Sequence, residues 1–454
     1  MLQTIINALK VKEIRRKVYM MLLLLLVFRI GCFIPVPGLN RETFSAMFQG
    51  DGANDFLTLM NSITGSALAN GTVFALGIGP YINASIIMQL LSVGIPALER
   101  LSKQGEEGRK KISQYTRYVT ILLAIIQSVG IIINFANQAE GGSAIQANAF
   151  FGGQTWLAGV FLTLMYTAGA LVVMWIGERI TDYGVGNGQS MIIFVGLIST
   201  AGAMILTKIQ SIFSKSIRLT NFPNSEPSEL IWELVIFAII CAVVFFAIVY
   251  VDLSQRKVPV QYAKQIRGRK MYGGQSSSIP IRISGGGVMP LIFAFSILSF
   301  PQMIGSMING GDNGFVNWWN SWLSATATGW GAVVYTIVLC VLIFAFSFFY
   351  AQMQFNPEDV SKSIQQNGGF IQGIRPGKAT EAYLKKISNR ITLFGAIYLS
   401  LVAFIPSVMF AWADYTLVNV FSTTGILIVV SCAMELEKQL QAQLMMKNYK
   451  GFLK

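Results

Sequence analysis

The sequence predicts an all-α polytopic membrane protein, and three observations carry that prediction. Of its 454 residues, 53% are hydrophobic and only 12% charged, far from the balance of a soluble domain. Apolar runs near 18–36, 72–92, 117–135, 154–176, 188–207, 230–251, 287–305, 330–350, 391–411 and 416–434 are each long enough to cross a bilayer as one helix, making ten spans. Basic residues concentrate in alternate loops: Arg100, Lys103, Arg109, Lys110 and Lys111, then the loop of 252–286, then Lys362, Arg375, Lys378, Lys385 and Lys386. The loops near 136–153, 306–329 and 412–415 hold no Lys or Arg, so the basic loops are placed in the cytosol. Lys208, Lys215 and Arg218 fall on the outer side and oppose this orientation, but the inner excess is larger. An even count puts both termini in the cytosol. Two sets of five can repeat only by inversion, which points to halves related by an axis in the membrane plane with a site between them.

Taken in order, Lys10, Lys12, Arg15, Arg16 and Lys17 precede the apolar run Val18 to Val36 in the manner of a signal sequence. Pro35-Val-Pro-Gly38 follows instead of a small-residue cleavage site, so this first span is expected to be retained. The second, Gly71 to Leu91, is read as a spanning helix with Ile78, Ile82 and Ile86 on one face. Beside that stripe lie polar Asn83 and Gln89, while Gly77, Gly79 and Pro80 loosen the backbone. A packed transmembrane helix and a pore wall both suit the pattern. Ahead of it, Asn61-Ser-Ile-Thr-Gly-Ser-Ala-Leu-Ala-Asn70 is too short and too polar to cross alone. It reads equally as an outer loop or as a re-entrant segment enclosed by protein.

The chain divides into an N-terminal half, 1–207, a C-terminal half, 208–434, with cytosolic loops 252–286 and 351–390, and a cytosolic tail, 435–454. Its net charge of +13 calls for an anionic partner: acidic lipid, ribosomal RNA or an acidic protein face. No histidine is present, which excludes Ser-His catalysis and the HExxH zinc site. Cys32, Cys241, Cys340 and Cys432 lack metal or disulfide spacing and are expected as buried, reduced thiols. No catalytic residue, metal or cofactor is expected.

Seven motifs now stand in order along nearly the whole chain. They are Phe28-Arg-Ile-Gly31 with Ile34-Pro-Val-Pro-Gly38, Phe74-Ala-Leu-Gly-Ile78 with Pro80-Tyr-Ile82, Gly184-Val-Gly-Asn-Gly188, Gln261-Tyr-Ala-Lys264, Gly287-Val-Met-Pro290, Phe355-Asn-Pro357 and Gly373-Ile-Arg-Pro-Gly377. Together they resemble SecY, the channel family of the bacterial Sec protein translocase. The resemblance implies two five-helix halves forming a clamshell around an hourglass pore in the cytoplasmic membrane. Such a pore is closed at mid-membrane by a ring of apolar side chains, which exclude water yet deform around a threading chain.

By that resemblance the ring comprises Ile78, Ile82, Ile193, Ile292 and Ile428, with Gln189 at a sixth, usually aliphatic, position. Lipid-facing or core packing is the plainer reading of each isoleucine. Gly79 also departs from the family's larger apolar residue. Asn61, Ser62, Ile63, Thr64, Gly65, Ser66, Ala67, Leu68, Ala69 and Asn70 align with the plug, a short helix whose small side chains suit easy displacement. The lateral gate falls between spans 2–3 and 7–8, with Asn83, Gln89 and Gln127 facing Phe300. Arg256, Lys257, Lys264, Arg267, Arg269, Lys270 and Arg375 match the loops that receive the motor ATPase SecA and the ribosome. Further implied partners are SecE, SecG, signal-bearing unfolded polypeptides and anionic phospholipid.

A secondary transporter for a small solute is the alternative. That class needs ionisable groups at mid-membrane, whereas Arg29, Glu178, Arg179, Glu233 and Asp252 lie nearer the span ends. An intramembrane protease lacks both a histidine and a mid-span aspartate pair.

Overall fold

The computed structural model describes residues 2–39, 61–102, 104–138, 154–214, 227–262, 265–267, 270–272, 276–283, 289–307, 314–323, 330–411 and 423–451. A helix overlaps every predicted apolar run. In chain order they are α2 (Lys12–Gly31), α3 (Gly79–Gly94), α5 (Glu106–Gln138), α6 (Thr155–Tyr183), α7 (Gly188–Phe213), α8 (Pro227–Leu253), α9 (Met289–Met307), α11 (Trp330–Gln354), α13 (Lys378–Ala411) and α14 (Thr423–Gly451). Shorter helices are α1 (Leu2–Lys10), α4 (Pro96–Ser102), α10 (Gly314–Trp322) and α12 (Pro357–Gln366). Among the described residues six helices are long and apolar enough to cross a membrane, or seven if α3 and α4, bent by 105°, form one broken span. α7 runs through 207 to Phe213, and α14 continues without a break past 434.

Local chemistry explains where elements begin and end. The second span is helical only from Gly79, not from Gly71 as expected, and Ile78 is its N-cap residue. The cause is Gly77, at φ +53°, where a Cβ would also lie 2.5 Å from Thr64 Cγ2. A left-handed residue ends helical propagation on its N-terminal side, and Pro80 in the first turn then starts a new helix. Residues 71–73 instead pair with 34–36: Val36 N–H donates to Gly71 O at 2.9 Å and Val73 N–H to Ile34 O at 3.0 Å. At the other end Ile95, extended because Pro96 follows, separates α3 from α4. Asn187 caps α7 by accepting from Gln189 N–H at 3.0 Å, and Asn356 caps α12 by accepting from Glu358 N–H at 3.1 Å.

The helices pack in two sets. In the first, α3 lies on α5, α5 on α6, and α6 on both α2 and α7; in the second, α11 lies on α9 and α13, and α14 on α8 and α13. The sets meet along one seam where α9 contacts α5 and α3, and again where α7 contacts α8 and α14. Where an outer loop was expected, α10 presents exposed Phe315, Trp318 and Trp322 and packs on α9 and α11. Such rings are suited to a membrane–water interface.

The cytosolic loops of the sequence reading contain strands. β1 (Gln255–Tyr262) pairs antiparallel with β4 (Ser276–Arg282), from Gln255 opposite Arg282 to Gln261 opposite Ser276. On its other edge β1 pairs with β5 (Gly369–Phe370). β2 (Gln265–Arg267) and β3 (Lys270–Tyr272) form a small hairpin of their own. Alternation along β1 buries Val258 and Val260 and exposes Arg256 and Lys257. The buried face packs with Ile281, with Ile364 of α12, Ile371 and Leu384 of α13, giving this region an apolar cluster of its own. All four cysteines are free thiols; Cys32 and Cys432 are buried as expected, but Cys241 and Cys340 only partly so.

Candidate functional site

Four isoleucines singled out from the sequence fall in one large buried core. Ile78, Ile82, Ile193 and Ile428 are 1%, 7%, 2% and 6% exposed and belong to one apolar cluster, against which Ile292 packs half-buried. They come from α3, α7 and α14, so both helix sets contribute, and Ile86 extends the group along α3. Gln189 sits one turn before Ile193 on α7 and is half-buried.

Next to this cluster lies the segment 61–70. It is helical only over residues 61–64 and then turns through Gly65 and Ser66, at φ +70° and +67°. Asn61 organises it, its Oδ1 accepting from Ala69 N–H at 2.9 Å and its main-chain oxygen from Ser66 N–H at 2.8 Å. Ala67 and Leu68 are wholly buried, more than its small and polar composition suggested. Two helices grip the segment from outside. The Arg29 guanidinium of α2 donates to Gly65 O at 3.4 Å and to Ser199 Oγ, and stacks 5.2 Å from the Phe33 ring centroid. On α7, Thr200 Oγ1 donates to Ser62 O at 3.1 Å. Gly196 lets the two backbones touch: a Cβ there would stand 1.9 Å from Ile63 O, so only glycine admits this approach.

Along the seam, Gln89 of α3 accepts from the Tyr350 hydroxyl of α11 at 2.6 Å. Sequence reading found Gln89 but not Tyr350, because a tyrosine closing an apolar run is an ordinary interfacial residue. Asn83 is half-buried on α3. Gln127, on α5, is 1% exposed, and neither amide atom has a hydrogen-bond partner among the described residues. Phe300 lies in α9, with its side chain outside what the structure describes.

Of the predicted docking cations, Arg256 and Lys257 are exposed on β1, and Arg375 is exposed in a turn whose Gly373 and Gly377 have φ of +81° and +98°. Thr380 Oγ1 donates to Arg375 O at 2.9 Å and Ser361 Oγ to Gly377 O at 2.9 Å, so the turn is braced from α13 and α12. Pairing of β1 with β5 puts this turn and the first loop on one body. Arg267 and Lys270 have their backbones in β2 and β3; their side chains, and all of Lys264 and Arg269, lie outside the described residues. Nearby, the hydrogen bond that Lys362 donates to the Glu358 carboxylate holds its ammonium above its ordinary pKa.

Among the described residues, several ionisable groups near the span ends are engaged. Arg117 Nε meets Glu178 at 2.9 Å, and Lys438 of α14 bonds both the carboxylate and the main-chain oxygen of Asp252, the latter at 3.1 Å. Among the described residues no three His, Cys, Asp or Glu side chains are placed to hold a metal ion.

A family model described as SecY matches residues 72–436. Over the whole of both chains, the protein is 39% identical to the protein translocase subunit SecY of Halalkalibacterium halodurans, 38% to that of Streptomyces coelicolor and 37% to that of Mycobacterium bovis. Its fold is similar to a solved protein-conducting channel at a TM-score of 0.61 and 21% identity, covering 94% of this chain and 92% of that one. It is likewise similar to Sec61 in a canine ribosome–channel complex from the endoplasmic reticulum, at 0.59 and 19%, with the same coverage.

Proposed function

The chain belongs to the SecY family, and we propose that it forms the channel of a bacterial Sec translocase. It conducts unfolded secretory proteins across the cytoplasmic membrane and releases membrane proteins sideways into lipid through the seam. The observation that carries this reading is the joining of Ile78, Ile82, Ile193 and Ile428 from both helix sets into one buried apolar cluster beside a segment held by backbone contacts. Branched apolar side chains meeting in this way exclude water and ions by dewetting, and part around whatever chain displaces them. No step breaks or makes a covalent bond, so the protein needs no catalytic residue; the driving energy comes from its partners.

In the cycle proposed, both termini and the β1–β5 sheet face the cytosol, with ten crossings in two inverted halves. SecA or a translating ribosome docks on Arg256, Lys257, the basic residues that follow, and Arg375. A signal sequence then enters the seam between α3 and α5 on one side and α9 and α11 on the other. Residues 61–70 leave their place against α7, and the isoleucines open around the chain. SecE clamps the open side of the bundle, SecG assists, and anionic phospholipid meets the basic inner surface. A small-solute transporter draws no comparable support: Arg29, Glu178 and Asp252 are each tied into structural contacts.

Arg375→Glu tests the docking half of the proposal. Reversing an exposed charge at a complementary interface costs several kcal/mol in binding, so SecA-driven export into membrane vesicles should fall by roughly tenfold or more while the protein still inserts. Export at the normal rate would remove Arg375 from the docking surface.

A further inference from the structure

The short helix α10 lies where two long helices end. α9 has 19 residues and is therefore about 28 Å long, close to the ~30 Å of a hydrocarbon core. Its first residue, Met289, follows the strand-bearing loop, so its last, Met307, reaches the opposite interface. The chain re-enters at Trp330, the first residue of α11, whose ring is 79% exposed. α10 packs on both helices and is thereby held at the level of their ends. Along it, Phe315, Trp318 and Trp322 are 53%, 52% and 43% exposed. Spaced by three and four positions, they fall within about 60° of one another around the helix. The rings form a ledge: the Phe315 centroid lies 6.4 Å from that of Trp318 and 5.7 Å from that of Trp319, which is half-buried behind them. From 306 to 329 the sequence carries a single charged residue, Asp312, and no Lys or Arg.

Resting on the channel reading above for which side of the membrane is outer, we propose that Phe315, Trp318 and Trp322 form a foot that sits in the glycerol–carbonyl layer of the outer leaflet and holds the outer ends of α9 and α11 at a fixed depth. Two conditions select that layer. Three large rings on one face are costly to leave in water, whereas an indole N–H sunk into hydrocarbon finds no acceptor; the ester carbonyls of the interface meet both needs. The absence of Lys and Arg separates this contact from the basic inner surface, because it has no charge with which to select an anionic headgroup. The lipid it fits is therefore defined by its ester region and not by its head. α9 and α11 border the seam in the proposed channel, so the foot ties the outer edge of one wall to the bilayer, and that wall follows the level of the leaflet.

The test uses the full translocase in phosphatidylcholine vesicles, with the four native cysteines replaced by alanine and an environment-sensitive dye attached at Trp318→Cys. Lipids brominated next to the glycerol should quench the dye severalfold more than lipids brominated at the chain end, and more than iodide in the water. Adding anionic phospholipid to the vesicles should leave that order unchanged. Phe315→Cys should behave alike and carries the test if the first variant fails to accumulate. Quenching chiefly by iodide overturns the foot, since the rings would then face water. Shielding from both quenchers overturns it too, since another protein or a second copy of this chain would then cover the face. The holding role is read separately, with the dye at Val333→Cys on α11: replacing Phe315, Trp318 and Trp322 together by serine should raise iodide quenching there severalfold, and an unchanged value overturns that role. Failure of the channel reading looks different: the vesicles would export no precursor while the dye on α10 kept its shallow depth.

Discussion

The isoleucine cluster and the segment 61–70 are neighbours, and in the proposed channel they close one passage by opposite means. In the cluster, contacts are made by methyl groups that have no preferred direction, and each can be replaced by another as the side chains turn. In the segment, closure depends on particular backbone atoms: Ile63 O against Gly196, Ser62 O under Thr200, Gly65 O on Arg29. Directional contacts of this kind hold at full strength or are lost together. On the channel reading proposed above, the difference teaches that one seal yields gradually around a chain, while the other is released as a unit.

Four substitutions break or sharpen that contrast. The largest effect belongs to Gly196→Val, because its Cβ would fall 1.9 Å from a main-chain oxygen with no flexible end to move aside. Overpacking of this kind costs roughly 1–3 kcal/mol or more, on the order of a 100-fold rise in the displaced segment. It should appear as ion leakage through resting vesicles, and tight vesicles would mean that the segment is not held at Gly196. Ile82→Asn comes next. An amide without a partner in the cluster costs about 1–3 kcal/mol, and both leakage and export of signal-defective precursors should rise by roughly tenfold. Unaltered discrimination with unaltered tightness would place Ile82 outside the constriction. Thr200→Val removes one hydroxyl bond from the segment, worth about 1 kcal/mol, so a roughly fivefold increase in cysteine labelling of residue 62 is expected; no increase would leave the grip to Gly196 and Arg29. The smallest effect is expected for Ile193→Leu, a swap at constant volume that costs less than about 1.5 kcal/mol. If it leaked as badly as Gly196→Val, the supposed tolerance of the cluster would be wrong.

How much of this was legible in the sequence follows the reach of each signal. Hydropathy is a local sum, so every apolar run located its helix, whereas the isoleucines of the cluster were singled out by the family resemblance. The start of α3 was misplaced because periodicity cannot see that Gly77 is left-handed, nor that it packs against Thr64, thirteen positions away in the chain. The strands escaped notice because β1 and β5 lie about a hundred residues apart, and the basic residues that mark a cytosolic loop obscure the Val258–Val260 alternation beneath. Gly196 looked like any glycine in an apolar run, since its meaning lies in a carbonyl from a distant segment. Tyr350 was missed for the same reason: its partner is 261 positions earlier.

The continuity of α14 has a mechanical corollary. Ile428 sits near its start, and ten residues later Lys438 grips Asp252, two residues from the end of the strand-bearing loop's root at Ser254. Ten helical residues span about 15 Å with hardly any give. A load applied to the sheet at its root would thus be delivered along a stiff rod to Ile428, so that in the proposed channel whatever pulls on the docking loops also tugs at the apolar ring.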